Sequence, residues 1–141
     1  MNTINVLIVV DVEGALSDQQ HFGPKYVYLV DTTGYVGGNS TEGTCELTTT
    51  CHDTQKIIWN VVSINPNDDV SITGFTGSMI ENRICIPVKE NDGSNYYWQG
   101  TVETQGSPQG PTGRYQYSVI LSFNDGSTNL TFDPFINVIS M

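Results

Sequence analysis

Apolar and polar residues alternate along much of this chain in runs of five to nine, and the runs are separated by turn-forming words. That period of two is the mark of strands with one buried face. It is clearest near the end, where Tyr115 to Phe123 is followed by Asn124-Asp125-Gly126-Ser127 and then by Asn129 to Val138, with a break near Pro134. The same Asn-Asp-Gly-Ser word stands at Asn91 to Ser94, and both predict hairpins. Further strands are predicted at Ile4 to Val12, Tyr26 to Val30, Glu46 to Thr50, Lys56 to Ile64, Val70 to Phe75, Ile84 to Val88, Tyr96 to Thr104 and Arg114 to Phe123.

The first of these is apolar at nearly every position and rich in β-branched residues, so it is expected in the middle of a sheet, covered on both faces. Asp11-Val12-Glu13-Gly14 is expected to end it. Asn65-Pro66-Asn67-Asp68 reads as a tight turn, and a short helix capped by Ser78 is expected over Ser78 to Asn82. Turn signals spaced roughly 8–12 residues apart are typical of two packed sheets. The expectation is an all-β fold, a single-domain antiparallel β-sandwich over residues 1–141, hairpin-connected and of jelly-roll or immunoglobulin-like type.

With 141 residues the chain is long enough to bury roughly 68–70% of its unfolded surface, so a core needs neither metal nor disulfide. Fifteen acidic residues against five basic ones give a formal charge of −10, which repels phosphate backbones and anionic lipid alike. Nucleic acid and membrane are therefore not expected as partners. No basic leader precedes the first apolar run, and no run approaches the ~18 residues of a membrane span. Three cysteines, Cys45, Cys51 and Cys85, are an odd number that cannot close into a disulfide framework within one chain, which fits a reducing cytoplasm.

Few residues suggest chemistry. Asp11 and Glu13, two apart at a strand end, would point to one face and form a weak candidate pair for a cation such as calcium; no other cofactor is expected. Cys51 and His52 resemble a nucleophile and its base, but neighbours on an extended segment face opposite ways and cannot meet. No phosphate-cradling loop is present, and no enzymatic activity is expected. Tyr97 and Gln99 alternate with Tyr96 and Trp98, so if their face is open, a ring and an amide stand side by side as a sugar-binding pair. Trp59 is expected in the core.

Ile4-Asn5-Val6-Leu7 with Asp11-Val12-Glu13-Gly14-Ala15, Tyr28-Leu29-Val30-Asp31-Thr32 with Gly34-Tyr35, Ile72-Thr73-Gly74-Phe75 with Met79-Ile80, Tyr97-Trp98-Gln99-Gly100 and Phe132-Asp133-Pro134-Phe135 form an ordered set across the chain. Through these words it resembles the AidA/PixA family of bacterial inclusion-body proteins. The resemblance implies a small β-sandwich produced under population-density or phase control, cytoplasmic and often deposited in inclusion bodies, with some members acting as lectins that prefer fucose-type sugars. Some inclusion-forming relatives are methionine-rich, whereas this chain has only Met1, Met79 and Met141.

Two functions follow as expectations. The first is a non-enzymatic, lectin-like protein that binds a neutral sugar or glycan through Asp31, Asn39, Tyr97 and Gln99. The second is an inclusion-body, storage or self-assembly protein with no small-molecule ligand. Self-association as a homo-oligomer is expected in either case.

Overall fold

The computed structural model describes residues 3–18, 24–33, 43–93, 95–103, 113–124 and 128–139. The strands are β1 (Ile4–Val10), β2 (Val27–Asp31), β3 (Thr48–Cys51), β4 (Lys56–Ser63), β5 (Val70–Thr76), β6 (Val88–Asp92), β7 (Asn95–Thr101), β8 (Gly113–Gln116), β9 (Ser118–Phe123), β10 (Thr128–Phe132) and β11 (Phe135–Val138). Two short helices, α1 (Val12–Ser17) and α2 (Ser78–Glu81), interrupt them. The predicted all-β, sandwich-like architecture is what the chain adopts.

One sheet has the order β2-β1-β4-β7-β6, and smaller sheets β10-β9-β5 and β3-β11-β8 make the opposing layer. Most pairings are antiparallel. The exceptions are β1 against β4 and β3 against β11, which run parallel. Strand β1 thus lies between β2 and β4, central as its continuous apolar sequence demands. Its burial nevertheless alternates, with Ile4, Val6, Ile8 and Val10 buried and Asn5 and Leu7 open to solvent. Its second face is therefore not covered as expected.

Inward residues of the large sheet meet those of the opposing layer in one core, with Val6, Ile8, Ile57 and Trp59 on one side and Ile72, Val119, Leu121, Phe132 and Ile136 on the other. The buried rings of Trp59 and Tyr117 lie in it, and the partly buried Phe75 and Trp98 extend the cluster toward the rim. Trp59 lies 5.1 Å from Phe75 and 5.8 Å from Tyr117, ring centre to ring centre, and Phe75 lies 5.3 Å from Trp98. The indole N–H of Trp59 donates to the Tyr117 hydroxyl at 3.2 Å, which satisfies a polar pair that burial would otherwise penalise.

Both hairpin words lie where predicted. Asp92 pairs with Asn95 and Phe123 with Thr128, while Ser94 and Asp125–Ser127 lie outside the described residues. The Asn65 turn also forms: Asn65 accepts from the Asn67 N–H through its side chain and from the Asp68 N–H through its carbonyl.

Other expectations are corrected. Asp11 to Ser17 is no strand end, because Asp11 caps α1 by accepting the Gly14 N–H at 2.9 Å. Helix α2 exists, but its cap residue is Gly77, and the Ser78 hydroxyl instead bonds Gln116 on β8. Gly77 holds φ +110, and a Cβ there would lie 2.8 Å from the Gln116 carbonyl oxygen, so a side chain is barred by both backbone angle and space. The strand expected at Ile84 to Val88 begins only at Val88. Ile84 and Cys85 are buried without being strand, tucked beneath the end of β7.

Candidate functional site

Among the described residues the sequence candidates do not converge on one place. Asp31 ends β2 and follows Val27 and Leu29 inward, where it is buried. Its carboxylate accepts from the Thr33 backbone N–H at 2.9 Å, from the Thr33 hydroxyl, and from the buried Thr49 hydroxyl at 2.6 Å. This is a structural network withdrawn from solvent. Asp31→Ala is expected to destabilise the fold by roughly 1–3 kcal/mol, since the Thr49 hydroxyl is left buried without its acceptor. Urea denaturation checks this, and an unchanged midpoint would contradict the structural role.

Asn39 lies outside the described residues. Tyr97 and Gln99 do share the outward face of the large sheet, on β7, opposite the face that carries Asp31. Asp11 and Glu13 are parted by the helix: residues two apart on a helix do not face each other. Glu13 accepts instead from the Asn65 side-chain amide at 3.2 Å. Among the described residues no group of three His, Cys, Asp or Glu is placed to hold a metal ion. Cys51 closes β3 in the core, and His52 sits in the turn beyond it.

A surface cleft of about 400 Å³ opens where the outward side of β7 meets β4 and β6. Gln99 and Thr101 of β7, Lys56 of β4, and Val88 and Glu90 of β6 form its floor, and Arg83, Ile86 and Glu103 complete the lining. The register explains the floor, since Lys56 opposes Thr101 and Val88 opposes Gln99. Of the sequence candidates among the described residues only Gln99 lines this cleft. Arg83, Lys56, Glu90 and Glu103 were not singled out, because the β6–β7 hairpin and the chain after α2 bring them together only in the fold. A volume in the range of roughly 300–1,000 Å³ with a few convergent polar groups is what small-molecule sites show.

The other half of the same face is different. The outward residues of β2, β1 and β4 include Tyr28, Val30, Leu7 and Val62, all substantially exposed, with Asn5 and Asn60 between them. Lys56, at the end of β4, is the one charge among the outward positions of these strands. The three thiols are poor nucleophiles, since burial pushes Cys51 and Cys85 up to about 12 and raises Cys45 to a lesser degree.

Among the described residues these features define an all-β, two-layered protein with a mixed-charge cleft and an apolar sheet face. The chain belongs to the family described as Domain of unknown function (DUF8788), whose model matches residues 2–130. Among solved structures it is similar to the crystal structure of the inclusion body protein PixA from Burkholderia cenocepacia J2315. That match has 12% sequence identity and a TM-score of 0.63, and it covers 99% of this chain and 95% of that one. The resemblance read from the sequence therefore holds as a PixA-like fold. No curated protein matches the chain. Among the described residues no helix is long and apolar enough to cross a membrane.

Proposed function

We propose that this chain forms one β-sandwich domain that is a non-enzymatic self-assembling protein of inclusion-body type, whose copies dock through the outward face of β2, β1 and β4. The observation that carries this reading is the near absence of charge on that face in a chain of net charge −10. Two copies repel each other least where neither presents a carboxylate, and apolar side chains there gain by leaving water. The three strands, about 4.8 Å apart and about 23 Å long, give this face roughly 330 Å² per copy before side-chain relief, the scale of a weak contact, so assembly is expected to build up only at high concentration. The likeness in fold to an inclusion body protein supports the same reading.

Self-repulsion sets the conditions. As carboxylates protonate on acidification toward roughly pH 4, or as salt screens them, particles are expected to grow. Sedimentation velocity across pH and salt checks this, with Val30→Glu and Tyr28→Glu as variants at exposed positions. Both should hold the fold, with changes within about 0.5 kcal/mol, and both should remain monomeric where the parent assembles. Equal particle sizes in parent and variants under every condition would sink the proposal.

A second reading, binding of a neutral sugar, rests on Tyr97 and Gln99 sharing one half-buried stretch of the outward face. Asp31 takes no part in it. A glycan array with and without chelator tests that reading and any calcium requirement together.

A further inference from the structure

Position 83 holds the wrong residue for its backbone. Helix α2 ends with the Arg83 N–H donating to the Ile80 carbonyl and the Ile84 N–H to the Met79 carbonyl, both at 3.0 Å, while Arg83 itself sits at φ +57. This pattern of helix ending is filled most often by glycine, because the left-handed region crowds any Cβ. An arginine here gives up stability that glycine would retain. Its side chain is exposed and lines the cleft.

The surroundings give that side chain a task. The chain has five basic residues against fifteen acidic ones, and two of the five, Lys56 and Arg83, line this one cleft. Among the described residues neither forms an ion pair, although Glu90 and Glu103 line the same space. The wall that carries Arg83 is held in place by Gly100, where a Cβ would lie 2.7 Å from the Cys85 sulfur and 3.1 Å from the Ile86 carbonyl oxygen. The missing side chain lets the segment after α2 press onto β7.

We propose that this cleft binds a hydroxylated carboxylate of sugar size, an acidic sugar, with Arg83 and Lys56 on its carboxylate. The guanidinium offers a planar fork of donors that matches a carboxylate, and the ammonium adds a second positive charge. Gln99, Thr101, Glu90 and Glu103 are the partners for hydroxyls, which donate to carboxylates and both donate to and accept from an amide. The exposed side chains of Ile86 and Val88 offer a C–H surface. A neutral sugar leaves both cations unanswered, and a bare inorganic anion uses none of the hydroxyl partners. Lys56 at the end of β4 borders both this cleft and the docking face, whereas Arg83, Glu90, Gln99 and Glu103 lie off that face, so Arg83→Gly tests this inference apart from self-assembly.

The test is calorimetric titration of the full chain with glucuronate and galacturonate, beside glucose and acetate, which supply the hydroxyls and the carboxylate separately. A saturable signal is expected for at least one uronate, weakening as salt rises, with glucose and acetate at least about tenfold weaker. Arg83→Gly is expected to weaken uronate binding at least about tenfold while raising the melting temperature by about 2–4 °C. The opposite signs matter, because a merely structural arginine would lower both. Lys56→Gln, at an exposed position, should weaken uronate binding in the same way. The proposal is overturned by silence with both uronates, by undiminished affinity in the variants, or by a fall in melting temperature for Arg83→Gly. Glucose binding as tightly as uronate also overturns it, and returns the cleft to the neutral-sugar reading.

Discussion

Trp59→Ala is expected to lower the unfolding free energy by about 3–5 kcal/mol, and with it the melting temperature by about 10–17 °C. The indole is wholly buried and touches both layers, with Phe75 of β5 and Tyr117 at the β8–β9 junction against its ring. Truncation opens a cavity in the middle of the core and removes the N–H donor from a Tyr117 hydroxyl that is itself buried. The same change at Trp98, which is only half-buried at the rim of the cluster, should have less than half the effect. Guanidinium unfolding of both variants measures the difference. A loss at Trp59 below about 1 kcal/mol would mean that the layers are not joined at this ring. The consequence reaches the surface, since β4 also carries Lys56 into the cleft and Val62 onto the apolar face.

The alternation of residues foretold much of the sandwich because each strand's burial is a local property. The buried Trp59 and both hairpins were legible for that reason. What failed was non-local or too short to be periodic. Helix α1 spans only Val12–Ser17 and contains a glycine, so its one local sign was the capping residue Asp11. Ile84 and Cys85 read as strand because they are apolar, yet they are buried beneath β7 as irregular chain. The parallel pairing of β1 with β4 joins Ile4 to Ile57, a separation that leaves no local pattern.

The site divides along the same line. Alternation is enough to place Gln99 and Tyr97 on one face, although of the two only Gln99 lines the cleft. Asp31 was misplaced although the sign was present: it shares parity with Val27 and Leu29, and all three turn inward. Arg83 was invisible because a helix ending of this type is read from glycine, and glycine is the residue that is missing.

The buried thiols should also limit stability at high pH. Burial moves Cys51 and Cys85 from the ordinary 9.0 up to about 12, with Cys51 and Glu103 adding to the shift at Cys85, and burial raises the wholly enclosed Tyr117 hydroxyl as well. Below about pH 9 these groups are protonated in both folded and unfolded chains, so they do not alter the balance. As pH rises from 9 toward 12 the unfolded chain releases their protons while the folded chain holds them, and unfolding becomes progressively easier. Each unit of separation is worth about 1.4 kcal/mol, so two thiols at pH 11 remove on the order of 5 kcal/mol, comparable with the whole stability of many domains. Cooperative loss of circular dichroism is therefore expected between pH 10 and 12, and the double variant Cys51→Ala, Cys85→Ala should unfold at higher pH than its neutral-pH stability alone would set. If parent and double variant share one alkaline midpoint after that correction, the thiols are not the groups responsible. Because Cys85 packs against Gly100 behind the cleft, the uronate signal is expected to vanish over the same interval.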